Sequence, residues 1–186
     1  HLFEEDEEYY NFYKESLSRG RRVILDNSIF ELGEAFNFVE YSKWIDKLRP
    51  TEYILPDVLQ NMNETKNNAK KFLTTFGRRF LRQKSIGVVQ GKNYDEIIDC
   101  YNFYINNNVH KIAIGFNLPF YLESDGENND VKYMNGRIDL LEKMIENNVI
   151  NYNKPHHLLG CALPQEFIHY KNNPDKFKFI DTIDTS

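Results

Sequence analysis

Four short apolar runs end on a side chain able to do polar chemistry. They are R-V-I-L-D-N at Asp26, E-Y-I-L-P-D at Asp57, S-I-G-V-V-Q-G at Gln90 and F-K-F-I-D-T-I-D at Asp184. Two more, K-I-A-I-G and H-H-L-L-G, end on Gly115 and Gly160. A carboxylate can attack an electrophilic carbon, carry a proton or accept hydrogen bonds from a ligand. An amide such as Gln90 offers both a donor and an acceptor to a polar ligand edge. Gly115 and Gly160 allow a ligand to approach the backbone closely. Each residue also has a plainer local use: Asp26 and Asp57 suit turn caps, and the glycines suit tight strand-to-loop turns. In I-D-T-I-D-T-S, strand alternation puts Asp181 and Asp184 on opposite faces, so one of them aims at a site. His156 and His157 open a strand, where a metal role is not favoured, and Trp44 reads as core.

Something must bring these distant residues together, and the apolar pattern supplies it. Strands are expected at 22–26, 52–56, 85–90, 111–115, 156–162 and 177–181. Helical stretches separate them, at 5–18, 37–48, 64–76 with Asn63 as N-cap, from Tyr94 to about Ile105, 137–149 and 164–171. Alternating strands and helices predict an α/β fold with a parallel sheet and right-handed crossovers. In a (β/α)8 TIM-like barrel all strand C-termini open onto one face, where the active site sits. Only six units are visible and such a barrel takes about 250 residues, so its ends are expected to be missing from residues 1–186. A doubly wound sheet is the alternative, but no G-x-G-x-x-G or P-loop string supports it. Residues 119–136 are polar and turn-rich and read as a long loop, with a lid as its use.

The chain has 186 residues, 41% apolar and 15% aromatic, enough for one domain with a real core. No apolar run approaches the roughly 18 residues of a membrane span. Cys100 and Cys161 lack metal-ligand spacing, and reduced thiols in the cytoplasm are expected. A net charge of −5 argues against broad non-specific nucleic-acid binding. It leaves room for a local basic surface at Arg19, Arg21 and Arg22, or at Lys70, Lys71, Arg78, Arg79, Arg82 and Lys84, although both clusters also read as solvated helix ends.

Taken in order, these strings resemble the tRNA-guanine transglycosylase superfamily, above all the phage-type branch that places 7-deazaguanines in DNA. D-N-S-I-F at 26–30 is similar to the hallmark D-S-G-G-F, Asp57 to a downstream barrel aspartate, and Val89-Gln90-Gly91 to V-Q-G. Ala113-Ile114-Gly115 resembles A-I-G-G with Phe116 at the second glycine, Leu158-Leu159-Gly160 resembles L-M-G, and 180–184 resembles I-D-x-F-D. Asn27, Ser28, Ile29 and Lys92 depart from the pattern.

The resemblance implies a transglycosylase that exchanges guanine in a nucleic acid, DNA in preference to tRNA, for a 7-deazaguanine base. Asp184 would be the nucleophile at the anomeric carbon and Asp26 the acid/base. Asp57 would accept from the imino and amino groups of guanine, Gln90 and the backbone near Gly115 would meet its carbonyl, and Phe30 and Leu159 would sandwich the ring. Gly91, Gly160 and Asn27 would complete the pocket. The implied partners are the nucleic acid and the free base; the implied location is the cytoplasm, of the host if phage-encoded, and a homodimer stays open. No cofactor is evident, because the superfamily's zinc motif would follow Ser186. Two other readings stay open: hydrolysis of an N-glycosidic bond by the same carboxylates, and a non-catalytic subunit that binds nucleic acid.

Overall fold

The computed structural model describes residues 2–27, 37–116 and 118–185. Phe30, with the rest of the hallmark string after Asn27, lies outside the described residues. The fold is α/β with parallel strands, and the chain forms two compact units, His1–Gly87 and Val88–Ser186.

The first unit opens with helices α1 (Leu2–Glu5) and α2 (Glu7–Ser18), the latter capped where Asp6 accepts from the Tyr9 N–H at 2.9 Å. Strand β1 (Ile24–Leu25), helix α3 (Phe38–Leu48), strand β2 (Glu52–Ile54), helix α4 (Met62–Phe76) and strand β3 (Lys84–Val88) follow. β1 pairs with β2 and β2 with β3, all parallel. Phe72 of α4 is fully buried against the rings of Tyr41, Tyr53 and Phe80. The Tyr41 hydroxyl reaches the carbonyls of Leu25 at 3.0 Å and Ile54 at 2.8 Å, tying α3 to the ends of two strands. Trp44, expected in the core, is only half-buried: it sits against Phe3 and Tyr10 with the Lys47 ammonium over its ring. The N-cap of α4 is Asn61, not Asn63. Asn61 accepts from the Glu64 N–H and donates back to the Glu64 carboxylate, a reciprocal cap that Asn63 cannot form because Glu64 is its neighbour.

The second unit holds helix α5 (Tyr94–Asn106), strand β4 (Lys111–Ile114), a 3-10 turn (Pro119–Glu123) and helix α6 (Asn129–Glu146). Strand β5 (His156–Leu158), helix α7 (Pro164–Asn172) and strand β6 (Ile180–Ile183) complete it. β4 pairs with β5 and β5 with β6, again parallel. The long loop expected at 119–136 is therefore corrected. It is a 3-10 turn followed by the first two turns of α6, which starts at Asn129 and not at 137 because Asn128 caps it by accepting from Val131 N–H. Gly136 lets α6 lie directly on that turn, since a Cβ there would collide with Tyr121.

The expected strands also run long. β5 ends at Leu158, and β6 begins at Ile180 because 177–179 turn before pairing starts. Phe177 and Phe179 are core residues nonetheless.

Candidate functional site: two aspartate groupings at strand ends

In the first unit the polar residues gather just past β1 and β2. Asp57 is 1% exposed and Asn27 fully buried. The Asn27 amide donates to the Asp57 carboxylate at 2.6 Å and to the Leu55 carbonyl at 2.9 Å, clamping the two strand ends together. The turn after Asp57 is fixed by Thr65 of α4, whose hydroxyl accepts from Val58 N–H at 2.9 Å and lies 3.1 Å from the Val58 carbonyl. Asp26 lies beside them, exposed, and accepts from the Asn27 N–H at 2.8 Å. This is a rigid, desolvated acceptor beside an accessible acid. Such a pair suits recognition of a ligand edge rich in N–H groups, together with proton transfer.

In the second unit Asp184 follows β6, and its backbone stays paired with the neighbouring strand: its N–H donates to Leu158 and its carbonyl accepts from Cys161. Its side chain is 49% exposed. One carboxylate oxygen accepts from the Gly160 N–H, and the other lies 3.3 Å from His157 Nε2. Gly160 adopts φ 65°, a left-handed conformation that favours glycine and turns its N–H toward the carboxylate. Burial pushes the Asp184 pKa up. The His157 hydrogen bond, the Gly160 N–H and the fields of His157 and Arg137 outweigh it, so the carboxyl sits below the ordinary aspartate range. An accessible carboxylate that stays ionised has what a nucleophile needs.

Asp181 and Asp184 turn to different partners, as alternation along the strand expects. His156 pairs with Ile180 but His157 pairs with Thr182, so Asp181 is the extra residue of a β-bulge. Thr182 and Asp184 then share the face that meets His157, while Asp181 binds the buried Lys111 ammonium at 2.7 Å.

Three residues of this grouping carried no sequence signal as site residues. His157 appears only as a weak metal candidate. Arg137 and Glu166 form a fully buried two-pronged ion pair, both contacts at 2.7 Å. Arg137 also donates to the Leu159 carbonyl at 2.6 Å and to Cys161 Sγ at 2.7 Å, and Tyr170 donates to Glu166 at 2.6 Å. Burial opposes the Arg137 charge, but the Glu166 contacts dominate and hold the guanidinium ionised. Burial likewise pushes the Cys161 thiol up to about 12. Arg137 thus fixes the backbone just before Gly160, the residue that binds Asp184. An isolated arginine at the apparent start of a helix gave no warning of this.

The remaining expected site residues are Gln90, Gly91, Gly115 and Leu159. Gln90 is buried after β3, where its N–H meets Cys100 Sγ at 3.5 Å. Gly91 is needed for packing, because a Cβ there would lie 2.8 Å from that of Glu96. Among the described residues, a Cβ at Gly115 would meet nothing within 4 Å, beside the end of β4. Leu159 is half-buried, its N–H on the Ile114 carbonyl at 3.0 Å.

The first basic cluster disperses: Arg19 pairs with Glu15, and Arg22 with the buried Glu52. In the second, Arg78, Arg79 and Arg82 join Arg49 around one cleft beside Asp46, which pairs with Arg79. These residues precede β2 and β3, at the strand ends opposite Asp57. Among the described residues, no group of three or more His, Cys, Asp or Glu side chains could hold a metal ion. The buried thiols of Cys100 and Cys161 meet the Gln90 N–H and the Arg137 guanidinium. No helix among the described residues is long and apolar enough to cross a membrane.

No protein-family model matches the chain, and no curated protein is similar to it. Among solved structures it is similar to a wild-type sialic acid aldolase from Ruminococcus gnavus, with 14% identity and a TM-score of 0.46. That similarity covers 89% of this chain, which spans 54% of the aldolase chain.

Proposed function

We propose that the protein exchanges a guanine base in a nucleic acid, DNA in preference to tRNA, for a 7-deazaguanine, and that its units are parts of a TIM-like barrel. The observation that carries this reading is the state of Asp184: accessible, ionised, and held by two donors at the end of a parallel strand. The resemblance of the surrounding strings supplies the substrate class.

In the proposed reaction an Asp184 oxygen attacks C1′ of the target nucleotide. The C1′–N9 bond breaks, its electron pair leaves with guanine, and Asp26 delivers the proton that neutralises the leaving base. A glycosyl ester on Asp184 results. The incoming 7-deazaguanine gives its N9 proton to Asp26, attacks C1′ and expels the Asp184 carboxylate. Two displacements retain the configuration at the anomeric carbon. Asp57 accepts from the two adjacent donors of the guanine edge, which adenine does not present, and a desolvated carboxylate makes a mismatched base costly. The target base must leave its stack to reach the carboxylates.

The test is incorporation of radiolabelled guanine into duplex DNA and, separately, bulk tRNA by the full-length protein, with Asp184→Ala as control. Label entering one polymer and lost in the control is the expected result. Free guanine released without incorporation would replace exchange with hydrolysis. Binding of the polymer without label or release would make the protein a non-catalytic binding subunit.

A further inference from the structure

The Asp184 carboxylate does not rest on His157 alone. Behind it runs a chain of polar contacts through the second unit. Lys111 Nζ lies 3.3 Å from Thr182 Oγ1, Thr182 Oγ1 lies 2.9 Å from His157 Nδ1, and His157 Nε2 lies 3.3 Å from Asp184 Oδ2. Lys111 is fully buried and His157 is 1% exposed. Such groups in the face of a parallel sheet, where branched apolar residues normally pack, need a reason to be there.

We infer that His157 is a positioning residue that pins Asp184 through an Nε2–H donor, and that Lys111 selects this tautomer by acting through the Thr182 hydroxyl. An ammonium only donates, so Thr182 Oγ1 accepts from Lys111, whose head is anchored on its other side by Asp181 at 2.7 Å. That leaves the single Thr182 proton to be donated, and His157 Nδ1 is in line for it. A neutral imidazole has one donor and one acceptor nitrogen. With Nδ1 accepting from Thr182, the proton sits on Nε2, where it faces an acceptor-only carboxylate. Every donor then meets an acceptor in one direction, from Lys111 to Thr182 to His157 to Asp184. The other tautomer would set a nitrogen lone pair against a carboxylate oxygen. The β-bulge at Asp181 makes the arrangement possible, because it brings Thr182 into register with His157.

The consequence is geometric. A half-exposed carboxylate at a strand end is free to rotate. Here the Gly160 N–H holds one oxygen and the His157 N–H the other, which leaves the remaining lone pairs aimed in fixed directions. The effect on turnover rests on the reading of Asp184 as nucleophile; the tautomer does not.

The experiment is ¹⁵N NMR of the full chain carrying ¹⁵N-histidine, recorded above the ordinary histidine pKa, at about pH 8. His157→Gln identifies the resonances by their loss. The expected result is a protonated Nε2 and an unprotonated Nδ1 shifted strongly downfield. Thr182→Ser should keep that pattern, and Thr182→Val should mix the tautomers. A protonated Nδ1 in the wild-type protein, or averaged tautomers, would overturn the inference without any reference to activity.

In the exchange assay, His157→Leu should lower kcat by about 10²-fold with the KM for base unchanged. His157→Gln, which can place an amide N–H near the Nε2 position, should restore most of the loss. Equal loss in both variants would refute the positioning role. Full exchange by Asp184→Ala would refute the nucleophile while leaving the NMR result intact.

Discussion

Asp57 and Asp184 both follow a parallel strand, yet their surroundings differ in almost every physical respect. Asp57 is 1% exposed and held by a neutral amide; the Asp184 side chain is 49% exposed and held by a backbone N–H and an imidazole. The turn beyond Asp57 is locked by Thr65, whereas the turn before Gly160 is locked by a buried guanidinium. The contrast separates two tasks that carboxylates perform. A carboxylate that reads a ligand gains selectivity from desolvation, because a wrong partner leaves it unsatisfied. A carboxylate that attacks must be reachable, and it gains from donors that keep it ionised and still.

The largest expected effect falls on the reachable acid. Asp184→Ala should cut base exchange by on the order of 10⁴-fold or more, measured by label incorporation, with little change in the denaturation midpoint. Asp57→Asn should do something different. Its amide oxygen can still accept from Asn27, so stability should hold, but its NH₂ would oppose the donors of guanine. The KM for base should rise by about 10²-fold while the sugar can still be trapped on Asp184. A variant that loses trapping as well would erase the distinction between reading and attacking.

Support for the Asp184 grouping can be broken separately. Arg137→Met strands the Glu166 carboxylate in the core and releases the Leu159 carbonyl. It should cost about 3–5 kcal/mol in a denaturant titration.

The two neighbouring histidines sharpen the comparison within one strand. His156 stacks on Tyr101, with its Nδ1 at the Lys154 carbonyl. Burial lowers its pKa from 6.5 to about 4, outweighing the hydrogen bonds to Lys154 and Phe179. The unfolded chain therefore takes up this proton at a higher pH than the folded one. Stability should fall as pH drops from 6.5 to about 4, by about 3 kcal/mol in total. Comparing melting at about pH 7 and pH 4.5 should show a smaller acid loss for His156→Gln. The smallest effect is expected at the arginine cleft. Arg78→Ala with Arg82→Ala should leave exchange on a short oligonucleotide unchanged, because these residues lie at the strand ends opposite Asp57. A matching loss of turnover on that oligonucleotide would contradict this separation.

How much of this the sequence reveals depends on whether the deciding contact is local. Apolar runs locate the six strands of the described residues, and polar residues at their ends mark Asp26, Asp57 and Asp184. Helix α6 is hidden because its first two turns contain asparagines and Gly136, all poor helix formers. They are tolerated because Asn128 caps the helix and Gly136 meets Tyr121, a contact between segments that no local pattern reports. The bulge at Asp181 is equally invisible, since a two-residue period carries no mark of where pairing slips. Arg137, Glu166, Lys111 and His157 become intelligible only once strand register and helix packing place them together.

The most direct measurement is capture of the covalent intermediate. The full-length protein would be quenched in denaturant during turnover on a short guanine-containing oligonucleotide, digested, and its Asp184 peptide weighed by mass spectrometry. A peptide carrying the abasic sugar of the oligonucleotide on Asp184, absent from Asp184→Asn, is the predicted result. Turnover with no adduct on that peptide, or an adduct on another carboxylate, would contradict the assignment of Asp184 as the attacking group.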